Sequence, residues 1–399
     1  MHFVGYLALG LCLCNSWTKG QNRQEKFLSA FQIVSFNNDA CAGTGKNGTC
    51  YTSAECEAKG GTNSGSCAQG YGVCCVFSVN CGATSNENCT YFDQQGGEVG
   101  QCAVKICKCQ SNICQLRLDF NQFTITGPST STLTEVALLN GSPVGPTGSG
   151  VAASVGSQCL TDSFSVTDST GGSPPTICGV NTNEHMYVDA SPNCNDLVFQ
   201  LGANSNGAAI VNRQWSIKVT QYSCDFANLA PSGCTQYFFG ADTNNVRTFN
   251  FLGGQHLADQ NQNICVRRES QNCRICWAPT AFIDFAVSGK TSMMGYAGTT
   301  NCCGYGTDGL KTLGFDCLSI PGAQSKTTGT AFFSRFCGRS AGLVNTATGV
   351  AAASKTFCTT TLPFNVRFLS DNYEFIAVAI GEAAKADVGF QLAYSMDCP

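Results

Sequence analysis

Apolar and polar residues alternate with a period of two along most of this chain. In CQLRLDFNQFTIT, Leu116, Leu118 and Phe120 share one phase while Phe123 and Ile125 share the other, so a half-buried strand with a bulge near Asn121 is expected. The same grammar recurs in DSFSVTD, HMYVDA, DLVFQLG and RQWSIKVTQYSC, and in the second half in RTFNFL, ICVRRE, FIDFAVS, DCLSIPG, FNVRFLSD and VGFQLAYSMDC. Clusters of Gly, Asn, Ser and Pro separate these runs, and no amphipathic helical period stands out. Short strands so punctuated predict an all-β architecture of antiparallel sandwiches. A Ser/Thr/Gly/Ala-rich stretch from Ser129 to Ser157 interrupts the pattern and reads as a long loop.

Composition narrows the class. A chain of 399 residues exceeds what one core usually organises and predicts two or three domains. Charged residues make up 12%, about half the common share of roughly 25%, whereas 44 glycines and 28 cysteines are in excess. The formal net charge of −4 comes without a Lys/Arg run, which argues against a nucleic-acid partner. At the N-terminus an apolar run from Phe3 to Cys14 ends in small and polar residues, the pattern of a secretory signal over 1–20. FIAVAIGEAA (375–384), the nearest later approach to an apolar span, is broken by Glu382, so no membrane span is expected. The expected location is secreted and extracellular.

Cysteine usage agrees with an oxidising compartment. Setting aside Cys12 and Cys14 in the signal leaves 26, an even number compatible with full pairing. Three sequons, at Asn47, Asn88 and Asn140, are candidate glycosylation sites there; Cys89 and Pro143 crowd the second and third. Residues 41–76 hold six cysteines in CAGTGKNGTCYTSAECEAKGGTNSGSCAQGYGVCC, with too few apolar side chains for an ordinary core, so a disulfide knot is expected. Six cysteines allow 15 connectivities. The spacing and the closing GVCC resemble clip-type modules of arthropod secreted proteins. That resemblance implies Cys41 with Cys74, Cys50 with Cys67, and Cys56 with Cys75.

An internal repeat follows the knot. Cys159 is followed by ICG at Cys178 and Cys317 by FCG at Cys337, and each unit closes on an aromatic-rich strand ending in cysteine, at Cys224 and Cys398. CLTDSFSV with ICG in the first unit, and FCG, PFNVRFLSD and VGFQLAY in the second, resemble CUB domains, extracellular β-sandwich modules. The linking text, from RQWSIKVTQYSC through APSGCTQYFFG and HLADQNQNICVRRE, is similar to uncharacterised arthropod secreted proteins with tandem CUB units. The resemblance implies two CUB-like sandwiches, over 80–226 and 230–399, bridges from Cys159 to Cys178 and from Cys317 to Cys337, and binding rather than catalysis.

Many CUB domains hold calcium, and Asp162 matches one of the positions this resemblance implies. Calcium takes about six to eight oxygen ligands. NQFTITGP offers no glutamate, Asp196 is the single substitute for a late SD turn, and in the second unit Asp371 stands without an aspartate after Cys317. Asp162 is therefore expected to hydrogen-bond locally at a turn beside Cys159, with no cofactor bound and calcium as the alternative.

Catalytic readings find little support. His185 and His256 read as strand-edge or loop residues, and no nucleophile elbow accompanies them. The CxC at Cys107 and Cys109 and the CxxC at Cys273 and Cys276 suit disulfides better than zinc outside the cell. GYGTDG (304–309) lacks the flanking strand and helix of a dinucleotide site. Arg267 and Arg268 read as a solvated strand face. The expected function is a secreted, non-enzymatic binding protein whose partner is an extracellular protein or glycan. The alternatives are a structural matrix or cuticle component and a non-catalytic partner in a secreted protease cascade.

Overall fold

A computed structural model describes residues 35–36, 38–129, 132–133, 153–155, 157–171, 174–203, 210–281, 284–287, 303, 316–326, 334–336, 338–339, 356–371, 373–375 and 388–398. The signal segment, Asn140, Cys337, the 304–309 glycine loop and most of the 375–384 run lie outside the described residues, as does much of the 129–157 loop.

Short alternating runs become strands of two packed pairs of sheets. In the first pair, an eight-stranded sheet orders Ala40–Ala42, Asn47–Tyr51, Gly72–Val79, Thr90–Gln95, Gln214–Ser223, Ile113–Thr124 and His185–Asp189, with Thr62–Cys67 added beside Gly72–Val79. A four-stranded sheet of Asp162–Thr167, Asn195–Leu201, Gly100–Ile106 and Thr84–Ser85 accompanies it. Leu118, Phe120, Phe123, Phe164, Phe199, Trp215 and Ile217 are fully buried in one core cluster drawn from both sheets. Phe199 and Trp215 stack with centroids 3.8 Å apart and planes 18° from parallel.

The phase change in CQLRLDFNQFTIT is a bulge. Ser216 faces Gln122 and Ile217 faces Phe120, leaving Asn121 without a partner across the strand. The extra residue turns both Phe120 and Phe123 inward, and the two are completely buried.

A second pair of sheets uses the remaining strands. Gln236–Phe238, Asn261–Val266, Asn365–Leu369, Cys317–Ser319 and Arg335–Phe336 form one. The other contains Gln324–Ser325, Phe357–Thr359, Arg274–Pro279, Gly389–Asp397, Phe285–Val287 and Gly338–Arg339, with Thr243–Arg247 also pairing to Gly389–Asp397. Their shared core contains Ile264, Trp277, Phe336, Phe368, Phe390 and Tyr394. A small sheet of Thr132–Leu133, Ala153–Val155 and Tyr373–Phe375 pairs segments from the two halves.

The N-terminal knot joins Cys41 to Cys74, Cys50 to Cys67 and Cys56 to Cys75. It has a small core after all, in which Tyr51, Cys56, Cys75 and Phe77 cluster with Val73. Its α-helix, Ser53–Ala58, starts at a capping box: the Glu55 N–H donates to Thr52 Oγ1 while Glu55 accepts from the Thr52 N–H. Threonine followed by glutamate three positions on was the sequence signal for it. The knot's last strand, Gly72–Val79, continues into the large sheet through Phe77, Ser78 and Val79, which pair in parallel with Thr90, Tyr91 and Phe92.

Further bridges staple the sandwiches. Cys81 joins Cys102, Cys107 joins Cys194, Cys114 joins Cys224 and Cys159 joins Cys178. Cys234 joins Cys265, Cys273 joins Cys398 and Cys276 joins Cys358. The expected partner of Cys317 is corrected: it bonds Cys303, with Cα atoms 5.1 Å apart. A sulfur in one disulfide cannot form another, so Cys337 is not its partner.

Candidate functional site

The fold brings Asp162 to the end of the first sandwich, where three chain segments converge on it. Asp162 opens its strand beside Gly202 at the end of Asn195–Leu201, and Arg213 immediately precedes the Gln214–Ser223 strand. Arg213 Nη2 donates to Asp162 Oδ1 at 2.7 Å, and Arg213 Nε donates to Oδ2 at 2.8 Å. The Thr126 N–H donates to Oδ2 at 2.8 Å and the Gly202 N–H to Oδ1 at 3.1 Å. The guanidinium also donates to the Gly202 carbonyl at 2.5 Å and the Gly97 carbonyl at 3.4 Å. The aspartate side chain is 0% exposed and the arginine 6%.

This geometry corrects the reading of Asp162 as a metal ligand or a local turn residue. A carboxylate has about four lone-pair sites, and four N–H donors fill them here, two from a bidentate guanidinium. No oxygen remains for calcium, and a cation already occupies the position. The arginine lies 51 residues away. No local pattern marks it; only an isolated charge just before an apolar strand hinted at a buried role.

The other acidic candidates are also engaged. Asp196 faces Lys105 across the strands at 3.5 Å. In the second sandwich Asp316, ahead of Cys317, lies 2.9 Å from His256 Nε2, both fully buried. The Asp371 N–H donates to Asp316 Oδ1 at 2.8 Å. Among the described residues, no group of three or more His, Cys, Asp or Glu is placed to hold a metal ion.

His185 lies on the edge strand of its sheet and His256 outside the strands, as expected, but both are buried. His256 packs beside Phe368 and pairs with Asp316. His185 lies between the sandwiches, where its Nε2 is 3.1 Å from both the Tyr237 N–H nitrogen and the Tyr237 carbonyl. Burial first, and then Arg117, pushes its pKa well below the usual histidine range, so it is a neutral acceptor for the Tyr237 N–H. General-base catalysis needs an imidazole nitrogen within hydrogen-bond reach of a substrate, and both rings here are closed off from solvent. Neither histidine provides that.

Cysteine and basic candidates fall into structural roles. Cys107, Cys273 and Cys276 are each bonded to a distant partner, and Cys109 is also disulfide-bonded. Arg267 pairs with Glu269 at 2.8 Å and lies 5.2 Å from the Phe239 ring centroid, while Arg268 is exposed. The Asn88 sequon is corrected as well. Its side chain is 5% exposed, its Nδ2 donates to the Gln221 carbonyl, and its Oδ1 accepts from the Gln221 N–H. A glycan on that nitrogen would break the contact between the Cys89 segment and the Gln214–Ser223 strand. Asn47 is half-buried.

A cavity of about 110 Å³ lies where the sandwiches meet, lined in part by Gln115, Tyr187, Asp189, Thr235 and Asn261. That is well under the roughly 300 to 1,000 Å³ of a small-molecule site. Among the described residues, the features built by these side chains are bridges, clamps and a joint.

Comparison with known proteins agrees with this architecture in part of the chain. The model of the animal CUB domain matches residues 231–397. No curated protein matches the chain. Among solved structures, the CUB1-EGF-CUB2 domains of rat MASP-1 are similar at 11% identity over 80% of this chain and 99% of that one, with a TM-score of 0.23. The CUB1-EGF-CUB2 domain of human MASP-1/3 is similar at 12% identity over 77% and 99%, with a TM-score of 0.20. The full extracellular region of zebrafish Gpr126/Adgrg6 is similar at 11% over 80% and 34%, with a TM-score of 0.24. Overlaps this low assign nothing to the chain by themselves. The family match, the all-β sandwiches and the stapled N-terminus together make this a CUB-domain-containing protein with a disulfide-rich N-terminal region.

Proposed function

We propose that this chain is secreted and acts outside the cell as a non-catalytic partner of other proteins, in its narrower form a component of a protease cascade. The animal CUB domain at 231–397 is the observation that carries the reading, because the resemblance of such modules is to binding units. The knot ahead of the sandwiches adds to it: its Cys41–Cys74, Cys50–Cys67 and Cys56–Cys75 bridges have the pairing that a clip-type module implies. On this reading 1–20 is the signal, 41–76 the clip-like module of arthropod type, and 80–226 and 230–399 the two CUB-like units. The partner is an extracellular protein, and the described bridges suit that compartment.

The test adds purified full-length chain to cell-free extracellular fluid from the source and follows cleavage of chromogenic protease substrates. A dose-dependent change in the rate of cascade activation is expected, with no labelling of the chain by an active-site serine probe. An unchanged rate, together with tissue protein that is extracted only under reduction, would move the assignment to a structural matrix component.

A further inference from the structure

The two sandwiches meet through a set of buried polar contacts rather than a loose linker. The Tyr187 N–H donates to the Thr235 carbonyl, and the Thr235 N–H to the Asn263 carbonyl, so backbone hydrogen bonds run from one sandwich to the other. The Asn250 N–H donates to Asn181 Oδ1 at 2.7 Å, and the Val180 N–H donates to Asn250 Oδ1 at 2.9 Å. Phe249 and Leu257, from the second half of the chain, are buried in the core cluster of the first sandwich. Tyr187, Tyr222, Ala230, Tyr237 and the Cys234–Cys265 bridge fill the space alongside.

At the centre of this joint stand two neighbouring titratable residues, Glu184 and His185. The His185 ring lies edge-on to Tyr187 and Phe238, with centroids 5.6 and 4.8 Å away, and accepts the Tyr237 N–H. The charged groups facing it come from the Ile113–Thr124 strand: Asp119 is directly opposite, and Arg117, paired to Asp119 at 2.8 Å, reaches the Tyr187 hydroxyl. Lys218 lies across from Asp119 on the next strand. Glu184 pairs with Arg247 and accepts from Gln236 Nε2 at 2.9 Å.

We infer that this joint is acid-sensitive, with His185 as the group whose protonation loosens the second sandwich from the first. A proton on Nε2 ends its acceptance of the Tyr237 N–H and puts a second cation near Arg117 in a site closed to water. The proton can be shared with the Tyr237 carbonyl, 3.1 Å away, but the N–H is then left without its acceptor. When the joint opens, His185 returns to an ordinary histidine affinity for protons, so acid favours the open form. Glu184 works in the opposite sense, because burial raises its carboxyl and protonation there favours the closed form. The two groups thus act against each other, and the acceptor lost at the Tyr237 N–H together with the cation added near Arg117 sets the response to opening.

Hydrogen exchange by mass spectrometry on the full chain tests this at pH 7.4 and pH 5.0, with rates normalised to intrinsic exchange at each pH. Protection over Gln236–Phe238 is expected to fall at pH 5.0 by up to roughly thirtyfold, the factor for an unopposed histidine of pKa about 6.5 in the open form. Protection in the Asn195–Leu201 strand is expected to hold, which separates joint opening from global unfolding. His185→Gln keeps an oxygen to accept the Tyr237 N–H but cannot titrate, and should abolish the fall. Glu184→Gln removes the opposing group and should make the fall at least as large as in the native chain. Equal protection at both pH values in the native chain and in Glu184→Gln would overturn the inference, as would an undiminished fall in His185→Gln. If His185→Gln does not fold, the native chain and Glu184→Gln decide the matter.

Discussion

Asp162 and Arg213 show how one buried pair can take the place of a bound ion. Removing one member leaves the other charged and dry, which in buried pairs costs about 3 to 5 kcal/mol. Asp162→Ala and Arg213→Ala should each lower stability by about that much in denaturant melts, and the double variant by less than the two losses added together. Because the four lone-pair sites are filled, thermal melts of the native chain with calcium and with chelator should coincide. A calcium-dependent rise in Tm, lost in Asp162→Ala, would show that the pair is displaced by metal. Asn88 gives a third expectation. After enzymatic deglycosylation in heavy-oxygen water, Asn47 should be converted where it was occupied, and Asn88 should remain unconverted. The aspartate was legible in the sequence as a feature beside Cys159; its partner was not, since pairing over 51 residues follows no local period.

At the scale of single elements, most strands were written in the period-two pattern. The Asn121 bulge was visible because one inserted residue flips every later side chain to the other face. The ICG segment has a tertiary explanation as well. Gly179 has φ +77°, and a Cβ added there would meet Asn250 Oδ1 at 2.0 Å. Asn250 is itself left-handed at φ 59° and accepts the Val180 N–H. Gly179→Ala should therefore destabilise the protein by at least about 1 to 2 kcal/mol, from backbone strain alone, with a further loss from the displaced asparagine. An unchanged denaturant midpoint would contradict this. The short knot helix was missed because six residues are too few to show a helical period, although its cap was in plain sight.

For the whole molecule, the position of the joint was harder to read than the sandwiches. Text around 225–234 signals a boundary, yet Phe249 and Leu257 cross it to pack in the first core, and the knot's final strand extends the first sheet. Non-reducing peptide mapping should recover Cys303 with Cys317 and Cys276 with Cys358 as separate bridged pairs. Recovery of Cys317 with Cys337 would restore the symmetric repeat that the sequence suggests. The repeat misled here because similar spacing of cysteines in two halves carries no information on which sulfurs approach within bonding distance.

By itself the sequence determined the all-β class, the cysteine-stapled character and the inward faces of the strands, since each depends on composition or on a period of two within one run of chain. The tertiary structure decided which cysteines bond, which cation meets Asp162, that Asn88 and His185 are buried, and how the halves grip one another. Those outcomes depend on distances between segments far apart in the chain, and no local pattern encodes them.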